Sequence, residues 1–386
     1  EWFGSQILDR LTIALASAPP DNANPKTREK WLEDTANDLN FLSSDVYRST
    51  LPSAPSRLAA LLCTILNDRQ SLVAELSIPA VGVLHAAMQE FGKNEFLQHE
   101  TWEEPAFIAI SGLPALVQLQ VKRNRPRNAI VALEFAASVL ESYAEVASDD
   151  KNCTIVRPNW VEMCRALLDF VRIVEGGGED SNKERDSTEL GPWLLNTHAK
   201  RVALGSLLVA PASEIHDSLP LLFTAADTGA RLDAVSAQEE LASDCLAAIV
   251  GQNFKSTKLL GGDTAVLLFV AMHTHAQACG SSNAWHCWIL PSLERAATGK
   301  GIGIATNALG IAGALCESRQ VACASGTGSL GDLLTALERV AKSDEACDLH
   351  DLANAVGARV FHQYREMCGN ANNWLEGGKV FVSPPV

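Results

Sequence analysis

The sequence is poor in the residues that build sheets and in the motifs that mark enzymes. Tyr occurs three times, and aromatic residues make up 6% of the 386 positions. Runs that alternate at period two, or that join β-branched with aromatic side chains, are scarce. Ala and Leu are abundant instead, so the balance favours helix over sheet. No GxSxG, HExxH or P-loop sequence occurs, which removes the commonest nucleophile, metalloprotease and nucleoside-triphosphate signatures. No uninterrupted apolar run reaches the roughly 18–20 residues that cross a bilayer. The strongest, residues 265–272, is far shorter, and no membrane span is expected. The ten cysteines include no CxxC pair. Most sit in apolar helical patterns, where a free thiol behaves as a small apolar side chain. A chain of this size needs no staples, so reduced thiols are expected, in an intracellular, reducing compartment, cytoplasm or mitochondrion. The first residue is Glu1 rather than methionine. The true start is therefore expected to lie upstream, with any targeting peptide.

What is present points to a packed chain. Hydrophobic residues make up 47% and charged residues 20%, enough for a core and too apolar for global disorder. The net charge of −15 argues against wholesale polyanion binding but leaves room for a local basic patch. The length suits one large helical domain or two ordinary ones.

The chain is organised around residues 285–319. The run 287–297 places Ile289, Leu290, Leu293 and Ala297 on one face at helical spacing. Thr298-Gly299-Lys300-Gly301 is a turn. A second helix follows, with Ile304, Ala308, Ile311, Ala312 and Leu315 on one face. Ala305, Gly310, Gly313 and Ala314 fill much of the rest. A helix this rich in Ala and Gly suits a position sandwiched between neighbours. LPSLERAA followed by IATNALGIAGALCES resembles an armadillo or HEAT-type repeat. The resemblance implies an all-α, irregular armadillo/HEAT-like helical array, an α-α superhelix.

Elsewhere the periodicity predicts helices near 1–18, 30–42, 57–76, 79–92, 104–121, 127–147 and 159–174. Others are predicted near 191–209, 213–227, 234–252, 263–279, 286–297, 302–317, 329–342 and 346–367. Helix pairs recur at about 40–50 residues, near the armadillo and HEAT period. Residues 175–189, EGGGEDSNKERDSTE, hold three glycines, dense charge and no apolar residue. They read as a flexible linker between helical regions 1–174 and 190–368, or as a loop inserted in one array. An irregular tail, 369–386, closes the sequence.

Five stretches carry possible chemistry. Lys122, Arg123, Arg125 and Arg127 put four cations in six residues, a candidate contact for nucleic-acid phosphates whose bland reading is a solvated interhelical loop. His350, Arg359, His362 and Arg365 form a weaker basic stripe on one helix. Asn67, Asp68, Ser71 and Glu75 spell NDxxSxxxE, which matches the second magnesium motif of class I terpene cyclases. No aspartate-rich partner precedes it. Gly326, Gly328 and Gly331 spell GxGxxG, read as an interhelical turn with Ser329 capping the next helix. A dinucleotide site would require a strand before it. His273, His275, Cys279, His286 and Cys287 are the densest His/Cys cluster, and His275 and Cys279 share a helix face. The bland reading prevails there: no metal and no cofactor is assigned. The acid pairs Glu103–Glu104, Asp149–Asp150 and Glu239–Glu240 read as helix-start or loop acids.

These readings converge on a non-enzymatic scaffold that mediates protein–protein interactions with other subunits of a larger assembly. The alternative is an RNA-binding subunit of an RNA-processing or ribonucleoprotein complex, with an organelle as one setting.

Overall fold

The structure is a computed structural model that describes residues 2–20, 22–44, 55–68, 72–149, 159–176, 190–210, 212–228, 237–250 and 264–368. The linker reading at 175–189 and the tail from 369 lie outside the described residues, apart from the helical residues 175 and 176. Among the described residues every regular element is helical, with no strand. The protein is all-α. It divides into two compact units, Glu1–Ala210 and Pro211–Val386.

The first unit holds α1 (Trp2–Ala16), α2 (Pro25–Leu42), α3 (Pro55–Asn67), α4 (Ser77–Phe91), α5 (Lys93–Gln98), α6 (Glu100–Lys122), α7 (Pro126–Asp149), α8 (Trp160–Gly176) and α9 (Leu190–Val209). Successive helices pair: α1 with α2, α3 with α4, α6 with α7, α8 with α9. The pairs also stack. One layer runs α1, α3, α6, α8, and the other runs α2, α4, α7, α9, each helix touching the next in its layer. Sequence explains the inward faces. Ile7, Leu8 and Leu11, at i, i+1 and i+4, are buried on one face of α1, and α7 buries Leu133, Ala137 and Leu140. Helix α2 starts earlier than its apolar pattern, at Pro25. Proline suits the first helical position, and the Asn24 side chain accepts a hydrogen bond from the Lys26 amide.

Short α5 interrupts the pairing and closes an aromatic cluster. Phe96 stacks on Trp102 of α6 with centroids 5.5 Å apart and meets Phe135 of α7 edge-on at 6.5 Å. All three rings are buried. Helix α9 is bound to α7 by a bidentate ion pair: Arg201 Nε and Nη2 donate to the two Glu141 oxygens at 2.9 and 3.0 Å. Burial alone would raise the Glu141 pKa. The hydrogen bonds and charge of Arg201, with Lys93 beside it, outweigh burial and lower it.

Two stretches, Leu72–Phe91 and Glu100–Lys122, have the length and mean hydropathy of bilayer-crossing helices. The sequence reading missed them because neither is an unbroken apolar run. In the structure half of each is buried, against helix neighbours of the first unit.

His198 on α9 gives this unit a pH dependence. It is 6% exposed, and its Nε2 lies 3.1 Å from Glu134 Oε1 without hydrogen-bond alignment. Burial lowers its pKa from 6.5; Glu134 opposes that and Arg201 adds to it. The folded protein therefore resists protonating His198, while the unfolded chain does not. The stabilising contribution is present above the unfolded pKa and is lost as pH falls through the folded one. Denaturation midpoints are expected to fall between about pH 7 and about pH 5, and less steeply in His198→Gln. Parallel pH curves for the two proteins would assign the dependence elsewhere.

The second unit holds α10 (Ala212–Thr228), α11 (Ala237–Ile249), α12 (Thr264–Ala278), α13 (Ile289–Ala296), α14 (Ile302–Glu317), α15 (Arg319–Lys342) and α16 (His350–Cys368). It stacks in the same manner. One layer runs α11, α14, α16. The other runs α10, α12, then a short 3-10 turn (Ala284–Cys287) with α13, then α15. The central stretch 285–319 is buried largely as its pattern requires: Ile289, Leu290, Leu293, Ile304, Ala308, Ile311, Ala312 and Leu315 lie in the core, while Ala297, expected on the same face, caps the end of α13 half-buried. Gly299 and Gly301 take φ of 76° and 66° in the turn between α13 and α14, a region open to glycine at little cost. Gly313 faces α16, where an added Cβ would sit 3.3 Å from Val356 Cγ2.

Besides the start of α2, one boundary and one extra helical stretch differ from expectation. The predicted helix 57–76 stops at Asn67 and gives way to a 3-10 turn at Leu72–Leu76. The stretch α15 is two helices meeting at a kink, Gly326 (φ 75°, ψ 159°), so the second starts close to the predicted 329 and the helical run 319–325 before it is the addition. Only glycine enters that backbone region readily, so one residue ends the first helix and turns the chain into the second.

Candidate functional site

The basic run occupies the turn between α6 and α7. Lys122 ends α6. Arg123 caps it, its amide bonded to the Leu119 and Val121 carbonyls. Asn124 turns the chain at φ 54°, a left-handed conformation that Asn tolerates better than most residues. Pro126 then opens α7. The turn thus presents Lys122, Arg123, Arg125 and Arg127 to solvent within one short arc. They are not equivalent. Arg123 is held by an ion pair to Glu75, and Arg127 has an interaction of its own. Lys122 and Arg125 are left as the cations whose charge is least committed. Beside the turn is a cleft of about 320 Å³, lined by Leu66, Ile108, Leu116 and Leu119, with Asp68 and Lys122 as its charged groups.

The same region dissolves the magnesium-motif reading. Oxygen ligands at i, i+4 and i+8 need one continuous helix face. Instead α3 ends at Asn67, the chain passes into a 3-10 turn, and Glu75 is engaged by Arg123. Ser71 lies outside the described residues. Gly326 of the GxGxxG does turn the chain between two helices, as the interhelical reading has it, and the dinucleotide alternative loses its context. Residues 320–325 are helical rather than extended, so no strand leads into the glycines. Ser329 does not cap a helix, and Asp332 accepts a hydrogen bond from Asn283 Nδ2 at 2.9 Å. The stripe on α16 is largely occupied by local partners. His350 Nε2 lies 2.7 Å from the Ser343 carbonyl, Arg359 pairs with Glu317 at 2.8 Å, and His362 lies 3.7 Å from Glu366.

The His/Cys cluster separates into parts. His273 Nε2 lies 2.9 Å from the Gln277 amide, and His286 is exposed. His275 and Cys279 do share a face, with Nε2 and Sγ 3.6 Å apart. Their third neighbour was not in the sequence cluster. Asp227, near the end of α10, brings a carboxylate oxygen so close that all three donor atoms lie within 4.8 Å of one another. Local structure fixes the arrangement. Gly280 (φ 82°) terminates α12, its amide bonded to the Gln277 carbonyl and that of Ser281 to Ala276. That left-handed cap leaves Cys279 exposed at the helix end. Phe223, one turn before Asp227, lies against the His275 ring at 6.0 Å. Asn283 then accepts from the Trp285 amide and anchors the following turn to Asp332 of α15. Cys287 at the end of that turn is buried, and burial with the nearby Asp227 and Cys279 pushes its pKa up.

The other thiols offer less chemistry. No disulfide joins the described cysteines. Burial pushes Cys63 up to about 11 and Cys164 and Cys316 up to about 12. Such thiols stay protonated and unreactive near neutral pH. Among the acid pairs Glu239 lies in the first turn of α11, as expected of a helix-start acid, but it is fully buried, in an ion pair with Arg295 of α13. Comparison of the chain with family models, with curated proteins and with solved structures finds no match to any of them.

Proposed function

We propose that the chain is a non-enzymatic scaffold, an armadillo/HEAT-like array whose stacked helix pairs hold other protein subunits in a larger assembly. The observation that carries this reading is the layered stacking within each unit, where each helix meets its partner and the next helix of its own layer. First helices of successive pairs begin at Trp2, Pro55, Glu100 and Trp160, and then at Ala212, Thr264 and Arg319, about fifty residues apart and close to the armadillo and HEAT period. Repeats of this kind bury a continuous core and leave extended faces for partners. The test is affinity purification of the full chain from native extract, with and without ribonuclease. Stoichiometric subunits that persist after ribonuclease support the scaffold. Recovery of the chain alone, at its monomer mass in both preparations, counts against it.

The exposed Lys122 and Arg125 favour one second reading, contact with RNA phosphates by the α6–α7 turn. Each single-strand phosphate contact contributes about 0.7 to the log–log salt slope. With Arg123 held by Glu75 and Arg127 engaged as well, two contacts remain and the slope is expected nearer 1.4 than the roughly 3 of four free cations. Lys122→Ser with Arg125→Ser is expected to abolish it. An unchanged slope in that double variant would remove the turn from any RNA surface.

A further inference from the structure

We propose that Asp227, His275 and Cys279 form a binding site for a zinc-class cation that ties the end of α12 to α10. The argument is geometric. A tetrahedral zinc ion holds sulfur at about 2.3 Å and imidazole nitrogen at about 2.0–2.1 Å, which sets those donors about 3.6 Å apart. Cys279 Sγ and His275 Nε2 stand 3.6 Å apart. That separation alone also suits a thiol–imidazole hydrogen bond between residues one turn apart. What changes the reading is the third donor. The Asp227 carboxylate arrives from a different helix and lies within 4.8 Å of both, close enough for a small side-chain rotation to complete the shell.

The donor types select the metal. Thiolate and imidazole disfavour magnesium and calcium, which take oxygen ligands, and suit zinc and its neighbours. Asp227 and His275 are half-buried and Cys279 is exposed, so the site has an entry path from solvent. Three protein ligands leave a fourth position for water. Support from the surroundings is present: Phe223 packs against the His275 ring, and the Gly280 cap fixes where Cys279 leaves the helix. A bound ion would therefore add a cross-link between two helices of one layer, at a place where each helix ends.

Cobalt(II) titration of the full chain, free of any histidine tag, tests this directly. Wild type is expected to bind one equivalent with a thiolate-to-cobalt charge-transfer band and the visible bands of tetrahedral cobalt. Zinc is expected to bleach both and to raise the melting temperature, since a ligand specific to the folded state stabilises it. Cys279→Ser is expected to lose the charge-transfer band, and Cys323→Ser, at an exposed thiol elsewhere, to keep it. Asp227→Asn is expected to weaken zinc binding by more than about 100-fold, because even residues that only support ligands cost 10–100-fold. Affinity is expected to fall as pH is lowered, because protons compete for the thiolate and imidazole. Circular dichroism of each variant checks the fold. The proposal is overturned if wild type shows no thiolate band, if Cys279→Ser retains it, or if a folded Asp227→Asn binds zinc as tightly as wild type.

Discussion

Replacing Glu239 by Leu is expected to destabilise the protein by about 3–5 kcal/mol, the range for breaking one side of a buried ion pair. Glu239 is fully buried on α11, and its partner Arg295 on α13 has a side chain only 16% exposed. The loss comes less from the attraction removed than from the guanidinium left behind, out of water and without its carboxylate. That reasoning fixes the second half of the experiment. If both members are replaced, by Glu239→Leu with Arg295→Met, no charge is stranded, and such exchanges are often neutral or stabilising. The double variant is therefore expected to recover most of the loss. Equilibrium denaturation of the two single variants and the double gives the coupling between them. Additive losses would mean that Arg295 finds other compensation when Glu239 is gone.

Glu239 also marks where sequence stopped being a guide. Acids at a helix start favour the helix dipole, and nothing local distinguishes Glu239 from its neighbour Glu240. Glu240 is exposed and Glu239 is not. The difference depends on which face α11 turns toward α13, and Arg295 is remote in sequence. The same limit applies to the three-donor cluster. His275 and Cys279 are legible because i, i+4 spacing puts them on one face. Asp227 sits a helix away, and no spacing announces it. His273 and His286 were grouped with them only by proximity in sequence.

Patterns with a local cause were legible. The bounds of α14 follow from its periodic face, the turn glycines before it and Ser318 after it. The start of α2 was missed because a proline and its Asn cap, rather than the apolar pattern, set it. The merged prediction at 57–76 failed because apolar residues at Val73 and Leu76 continue the helical spacing, although the backbone there is a 3-10 turn. In α15 one glycine with positive φ joins two helices; the apolar pattern shows the second, and the short first one, 319–325, is not legible in it.

Gly205→Ala is expected to destabilise the first unit by about 2 kcal/mol, although alanine is the better helix former. Inside a helix that exchange normally gains about 1 kcal/mol. Here the new Cβ would lie 2.8 Å from the Cβ of Leu140 on α7. Both atoms are fixed by their backbones, so no rotamer change relieves the contact, and α9 must move away from α7. Overpacking costs typically 1–3 kcal/mol and occasionally more, and a backbone-fixed contact belongs at the upper end. Separation would also strain the Arg201–Glu141 pair, one turn away on α9. Truncating Leu140 to Ala leaves its Cβ in place, so Leu140→Ala is not expected to rescue Gly205→Ala. Two glycines of the second unit set the scale. At Gly303, in the first turn of α14, an added Cβ meets nothing within 4 Å, and Gly303→Ala is expected to be stabilising by part of the propensity term. At Gly313 the nearest atom is a Val356 methyl at 3.3 Å, and Gly313→Ala is expected to fall between the two. Denaturant midpoints of the three variants test the order. A stabilised Gly205→Ala would show that α7 and α9 do not approach as closely as their Cβ positions require.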